Sequence, residues 1–83
     1  MSQEKEMTFR DRLERVRELK AENPEIEFDM VGLDGNAFAL MAAFQRTARM
    51  GGWSKEAIDE VLDHCKSGNY DQLISILLET DAG

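Results

Sequence analysis

The sequence predicts a mainly α protein: a compact three-helix C-terminal bundle, preceded by an amphipathic helix and a short extended or β segment. Three observations carry this expectation. In four stretches apolar residues recur at helical spacing or crowd into an alanine-rich run. Each stretch opens on a residue that caps helices, Thr8, Asn36, Ser54 or Asn69. A single short stretch, from Glu25, alternates apolar and acidic residues with period two.

The polar residues 1–7 read as a disordered N-terminus, and residues 8–83 as a single domain. The first helix covers about residues 8–22. Phe9, Leu13, Val16 and Leu19 form its apolar stripe, Thr8 and Asp11 form an imperfect capping box, and Asp11 and Arg15 stand four apart in the favourable order. Pro24 disfavours helix at Asn23 and ends the element. Ile26, Phe28 and Met30 then alternate with Glu25, Glu27 and Asp29, which predicts an extended segment over 25–31 with one buried face.

Gly32, Asp34 and Gly35 break that segment, and Asn36 caps a second helix over about 37–50. The run from Ala37 to Phe44 is apolar all round, so this helix is expected to be central and buried. Gly51-Gly52 stops it. Ser54 caps a third helix over about 55–66, with Trp53 and Ile58 at hydrophobic-staple positions and an inner stripe of Ala57, Ile58, Val61, Leu62 and Cys65. After Lys66-Ser67-Gly68, Asn69 and Gln72 form a capping box for a fourth helix over about 70–79, with Tyr70, Leu73, Ile74, Leu77 and Leu78 facing inward. Leu40, Met41, Phe44, Val61, Leu62, Leu73, Ile74 and Leu77 are expected to meet in one core.

Composition narrows the function. The chain of 83 residues has a net charge of −7, which argues against nucleic acid as a partner. The charge is uneven: Arg10, Arg12, Arg15, Arg17 and Lys20 cluster on the first helix, whereas Glu56 to Asp81 holds seven acids and one lysine, Lys66. The N-terminus lacks the apolar region of a secretory signal, and no run approaches the ~18 apolar residues of a membrane span. With a single cysteine, Cys65, these features predict a cytoplasmic protein of a reducing compartment, with no membrane partner.

No catalytic, cofactor-binding or metal-ligating constellation stands out. His64 is the only histidine, and it lies beside Cys65 on a helix, where neighbours point about 100° apart. Both read as structural, and the expectation is a noncatalytic protein-interaction domain without cofactor. Its candidate interaction residues are Phe9, Phe28, Met30 and Trp53 among the apolar side chains, and Glu56, Asp59, Glu60 and Asp63 on one face of the third helix. The alternative is a small-ligand binder, for instance of a nucleotide. It would use the helix start at Asp34-Gly35-Asn36, with Gly35 and Asn36 offering backbone N–H groups to an anion.

Self-association as a dimer is a further expectation. A lone extended segment leaves backbone donors and acceptors without partners, and the same segment of a second copy would pair with Ile26–Val31 under the first helix. The competing expectation is an extended strap laid across the helices of one monomer.

Two resemblances add to this reading. Gly32-Leu33-Asp34-Gly35-Asn36-Ala37-Phe38, together with Trp53-Ser54-Lys55-Glu56-Ala57-Ile58 and Ser67-Gly68-Asn69-Tyr70-Asp71-Gln72-Leu73, resembles a group of small phage and bacterial proteins. The resemblance implies a setting, that of a phage accessory protein binding a host component. Three short helices with Met50-Gly51 in the first turn and Leu77-Leu78 in the last helix are similar to ubiquitin-associated domains. Those domains bind ubiquitin through a Met-Gly-aromatic turn and the last helix. Here Gly52 separates Gly51 from Trp53, so the similarity implies the three-helix shape and not the ligand.

Overall fold

Capping chemistry sets the helix boundaries. The computed structural model describes residues 7–30, Gly32 and residues 35–82. The expected disordered tail thus lies, apart from Met7, outside the described residues, as do Val31, Leu33 and Asp34. The described chain holds four helices, α1 (Phe9–Ala21), α2 (Ala37–Met50), α3 (Lys55–Lys66) and α4 (Tyr70–Glu79). The Thr8 hydroxyl accepts from the Asp11 N–H, and the Asp11 carboxylate accepts from the Thr8 N–H. Asn69 and Gln72 form the same reciprocal box on α4. Ser54 accepts from the Ala57 N–H, and Asn36 from Phe38 and Ala39. Each such cap is worth about 1 kcal/mol.

α3 and α4 pack together at the centre, with α1 against one side of the pair and α2 against the other. The backbones of α1 and α2 do not approach one another. All four helices contribute to one core. Val16 and Leu19 of α1 share it with Phe44 of α2, Val61 of α3 and Leu77 of α4.

Among the described residues there is no strand. Residues 24–30 run as an irregular strap over the core. Ile26 and Phe28 are 5% and 3% exposed, and Met30 packs partly buried beside them. The alternation is thus real, but it buries side chains against helices and not against a second strand. Three of the strap's backbone groups find partners within the chain, at Pro24, Ile26 and Phe28. Ala82 N–H donates to the Ile26 carbonyl (2.9 Å), and Phe28 N–H donates to Asp81 Oδ1 (3.0 Å). The Trp53 indole N–H donates to the Pro24 carbonyl (2.7 Å), and Ser54 N–H to Asn23 Oδ1 (3.1 Å). The pairing need that motivated a dimer through Ile26–Val31 is thus answered inside one chain at Ile26 and Phe28.

Phe44 is the pivot of the core. It is fully buried, with the Phe28 ring 6.0 Å away at 88° and the Trp53 ring 5.6 Å away at 87°. Such edge-on pairs add about 0.5–1.5 kcal/mol each beyond their buried area. The two glycines before Trp53 have separate duties. Gly52 holds φ at +97°, where a side chain is strained, and a Cβ on Gly51 would run into Ile26.

Two inward faces differ from expectation. α2 is not central: Phe38 stays 77% exposed, and only Leu40, Met41, Phe44 and Ala48 are buried. α4 turns Leu73, Ile76 and Leu77 inward, with Thr80 buried at its end, while Tyr70 and Leu78 are 48% and 53% exposed. Leu62 and Ile74 pack against the core only partly buried.

Candidate interaction surface

The two flanks of α3 meet different neighbours. On the flank toward α1, Glu60 is gripped by Arg15, whose Nε donates to Oε2 (2.6 Å) and whose second guanidinium nitrogen donates to Oε1 (3.0 Å). Arg15 also holds Glu18 at 3.0 Å, while the Asp11 carboxylate accepts from the cap N–H. His64 Nε2 lies 3.3 Å from Glu60 Oε2, one turn along, and His64 is 9% exposed. The Arg15 hydrogen bonds hold the Glu60 carboxyl below its usual range, with the His64 hydrogen bond adding to this against the opposing cost of burial. Next to His64, burial pushes the Cys65 thiol up to about 12, so this 1% exposed sulfur is a poor nucleophile at neutral pH. Among the described residues no group of His, Cys, Asp and Glu could hold a metal ion.

The flank of α3 toward α2 is open. Adjoining shallow depressions run along it. Phe38, Met41 and Ala42 of α2 and Leu62 and Lys66 of α3 line one end. Arg49 of α2, Trp53, and Lys55, Ile58 and Asp59 of α3 line the other, and Gln45 lines both. The start of α2 thus lies beside the end of α3, so the helices run antiparallel. Arg46 and Arg49 border the outer side. Lys55 pairs with Asp59 at 3.0 Å, but among the described residues no carboxylate pairs with Arg46, Arg49 or Lys66.

The expected interaction residues fall in three places. Phe28 and Trp53 are interior, at 3% and 5% exposed, and present no face to a partner; Phe9 and Met30 pack against the core. Glu56, Asp59 and Asp63 are exposed on α3 as expected, but Glu60 leaves that row for Arg15. The turn at Gly35 and Asn36 is already engaged: the Asn36 side chain occupies the first helix N–H groups, and the Gly35 carbonyl accepts from the Tyr70 hydroxyl. Asp34 lies outside the described residues. At the positions of the ubiquitin-associated similarity, Met50 and Leu78 are exposed, but Trp53 is turned into the core.

Sequence reasoning missed Phe38, Leu62, Arg49 and Lys66 as a group. A signal was present: no Asp or Glu occurs between Asp34 and Glu56, although acids outnumber bases in the chain by seven. Phe38, Ala42, Gln45 and Arg49 also follow one face of α2 at helical spacing. No helix of the described residues is long and apolar enough to cross a membrane. No family model, curated relative or solved structure matches the chain.

Proposed function

We propose that the chain is a noncatalytic protein-interaction domain that docks partners on the open α2–α3 flank. The observation that carries this is the position of Phe38. It is a large aromatic side chain, 77% exposed, beside the half-buried Leu62 and next to Lys66, a cation with which no carboxylate of the described residues pairs. Exposed apolar surface rimmed by polar groups marks interaction sites, and aromatic and arginine side chains dominate their energetics. The setting suggested by the phage-like resemblance, an accessory protein acting on a host component, fits a domain that works by occupying another protein.

The test is retention of proteins from a lysate of the source cells on the immobilised full chain, beside Phe38→Asp. Phe38 is exposed, so this variant should melt within a few degrees of the parent. A protein retained by the parent and lost from Phe38→Asp supports the reading. Retention of nothing, or retention indifferent to Phe38→Asp, contradicts it.

A further inference from the structure

The open flank has a floor and a rim of different chemistry. Met41, 8% exposed, and the half-buried Leu62 make the floor, and Phe38 stands over one end. Lys66 closes that end, Arg49 lines the other beside the Lys55–Asp59 pair, and Arg46 borders the outer side of α2. We propose that this groove receives an acidic amphipathic helix of a partner protein. The proposal rests on the interaction reading above and names the partner's chemistry.

Shape comes first. A groove between two antiparallel helices with an apolar floor is the geometry in which a third helix lays down an apolar stripe. From Phe38 to Arg49 it runs about 16 Å at 1.5 Å per residue, which is about three turns of helix. The occupant therefore needs an apolar stripe at helical spacing, to meet Phe38, Met41 and Leu62 at one end and Ile58 at the other.

Charge decides the flanks of that helix. Arg46, Arg49 and Lys66 have no carboxylate partner among the described residues, whereas on the α1 side of α3 Arg15 is fully committed to Glu60 and Glu18. Carboxylates of an incoming helix would supply the missing partners. The net charge of −7 works against an acidic partner at long range, but the screening length at physiological salt is about 8 Å, so the groove's own cations govern docking. Asp59 within the groove is paired with Lys55, and the exposed Glu56 and Asp63 beside it repel the same partner and confine it to the groove.

Other occupants fit less well. The chain's own acidic amphipathic stretch, Glu25 to Met30, has Ile26 and Phe28 committed to its core, so a second copy cannot offer it. A nucleic-acid backbone would neutralise the cations but leave Phe38 and Leu62 uncovered.

The test uses a display library of random 16-residue peptides, selected on the full chain and on an Arg46→Glu/Arg49→Glu/Lys66→Glu variant. The parent should enrich net-acidic peptides with apolar residues at helical spacing. Their binding should weaken about tenfold or more on the charge-reversed variant, which should itself enrich basic peptides. Phe38→Asp should lose the acidic peptides as well, and it serves alone if the triple variant does not fold. Enrichment of neutral or basic peptides by the parent, no enrichment, or acidic peptides that survive Phe38→Asp would overturn the proposal. So would binding to duplex DNA or phosphatidylserine vesicles that exceeds peptide binding, or a dimer that Phe38→Asp dissolves. Lysate retention lost from Phe38→Asp, together with non-acidic peptides, would overturn the acidic helix while leaving the interaction reading in place.

Discussion

The two flanks of α3 start from similar material and finish differently. Both carry acidic residues, Glu60 on one and Asp59 on the other. Toward α1, Glu60 is closed in by Arg15 and His64, and His64 is left 9% exposed. Toward α2, Asp59 pairs with Lys55 at the surface, and Phe38 and Ala42 remain uncovered above Leu62. The difference comes from reach. α1 closes its flank of α3, and the strap lays Phe28 on Phe44 of α2, whereas on the α3 flank toward α2 no described element covers Phe38 and Ala42. An apolar flank without a covering layer is what a partner can use.

The comparison breaks most visibly at the seal. Phe44→Ala removes the ring that Phe28 and Trp53 both touch, and should cost about 3–5 kcal/mol, measured by urea denaturation. That approaches the whole stability of a small domain, so the variant should be largely unfolded at room temperature or nearly so. Ile76→Ala, at a fully buried site, should cost about 2–5 kcal/mol. Leu62→Ala on the open flank should cost clearly less, about 1 kcal/mol, because the half-buried side chain already meets solvent. Equal losses at Ile76 and Leu62 would show that the α2 flank is closed in solution.

Much of this contrast could be read in the sequence, and part could not. Asn36, Ser54 and Asn69 announced the starts of α2, α3 and α4, because a cap is a local interaction with a local signature. The inward face of α4 was not determined, because Leu73, Ile74, Ile76, Leu77 and Leu78 place apolar side chains nearly all round, and packing selected Ile76 over Ile74 and Leu78. The same ambiguity made α2 look central when one of its faces is bare. The strap's alternation was legible but its partner was not, since the bonds from Ala82 and Asp81 arrive from more than fifty residues away. Arg15 and Glu60 stand forty-five residues apart, so their pairing followed only from the packing of α1 on α3.

Acid sharpens the comparison on the closed flank. The Glu60 carboxyl is held below its unfolded value, so its contribution is present above pH ~4.5 and is lost as pH falls through the depressed folded value. The stability gap between the parent and Glu60→Gln should therefore be widest near neutral pH and shrink as pH falls below the ordinary carboxylate range, as read by denaturation at a series of pH values. A gap that is constant with pH would mean that Arg15 does not favour the charged form.

The smallest effect is a rate. Cys65 is 1% exposed, with its thiol pushed up to about 12, so a thiol reagent at pH 8 should label the native chain slowly and the urea-unfolded chain at once. Fast native labelling would mean that the α3–α4 interior opens readily.

The central claim is that binding belongs to the open flank and not to the charge of the molecule as a whole. Two substitutions separate these, because each changes the net charge by the same amount: Arg49→Glu on the open flank, and Arg17→Glu on α1, where Arg17 meets Glu79 at 2.9 Å. The measurement is the affinity of a library-selected acidic peptide by fluorescence anisotropy, after melting curves confirm that both variants are folded. Arg49→Glu should weaken binding about tenfold or more, and Arg17→Glu should leave it within about twofold. Equal losses in the two variants would contradict the account.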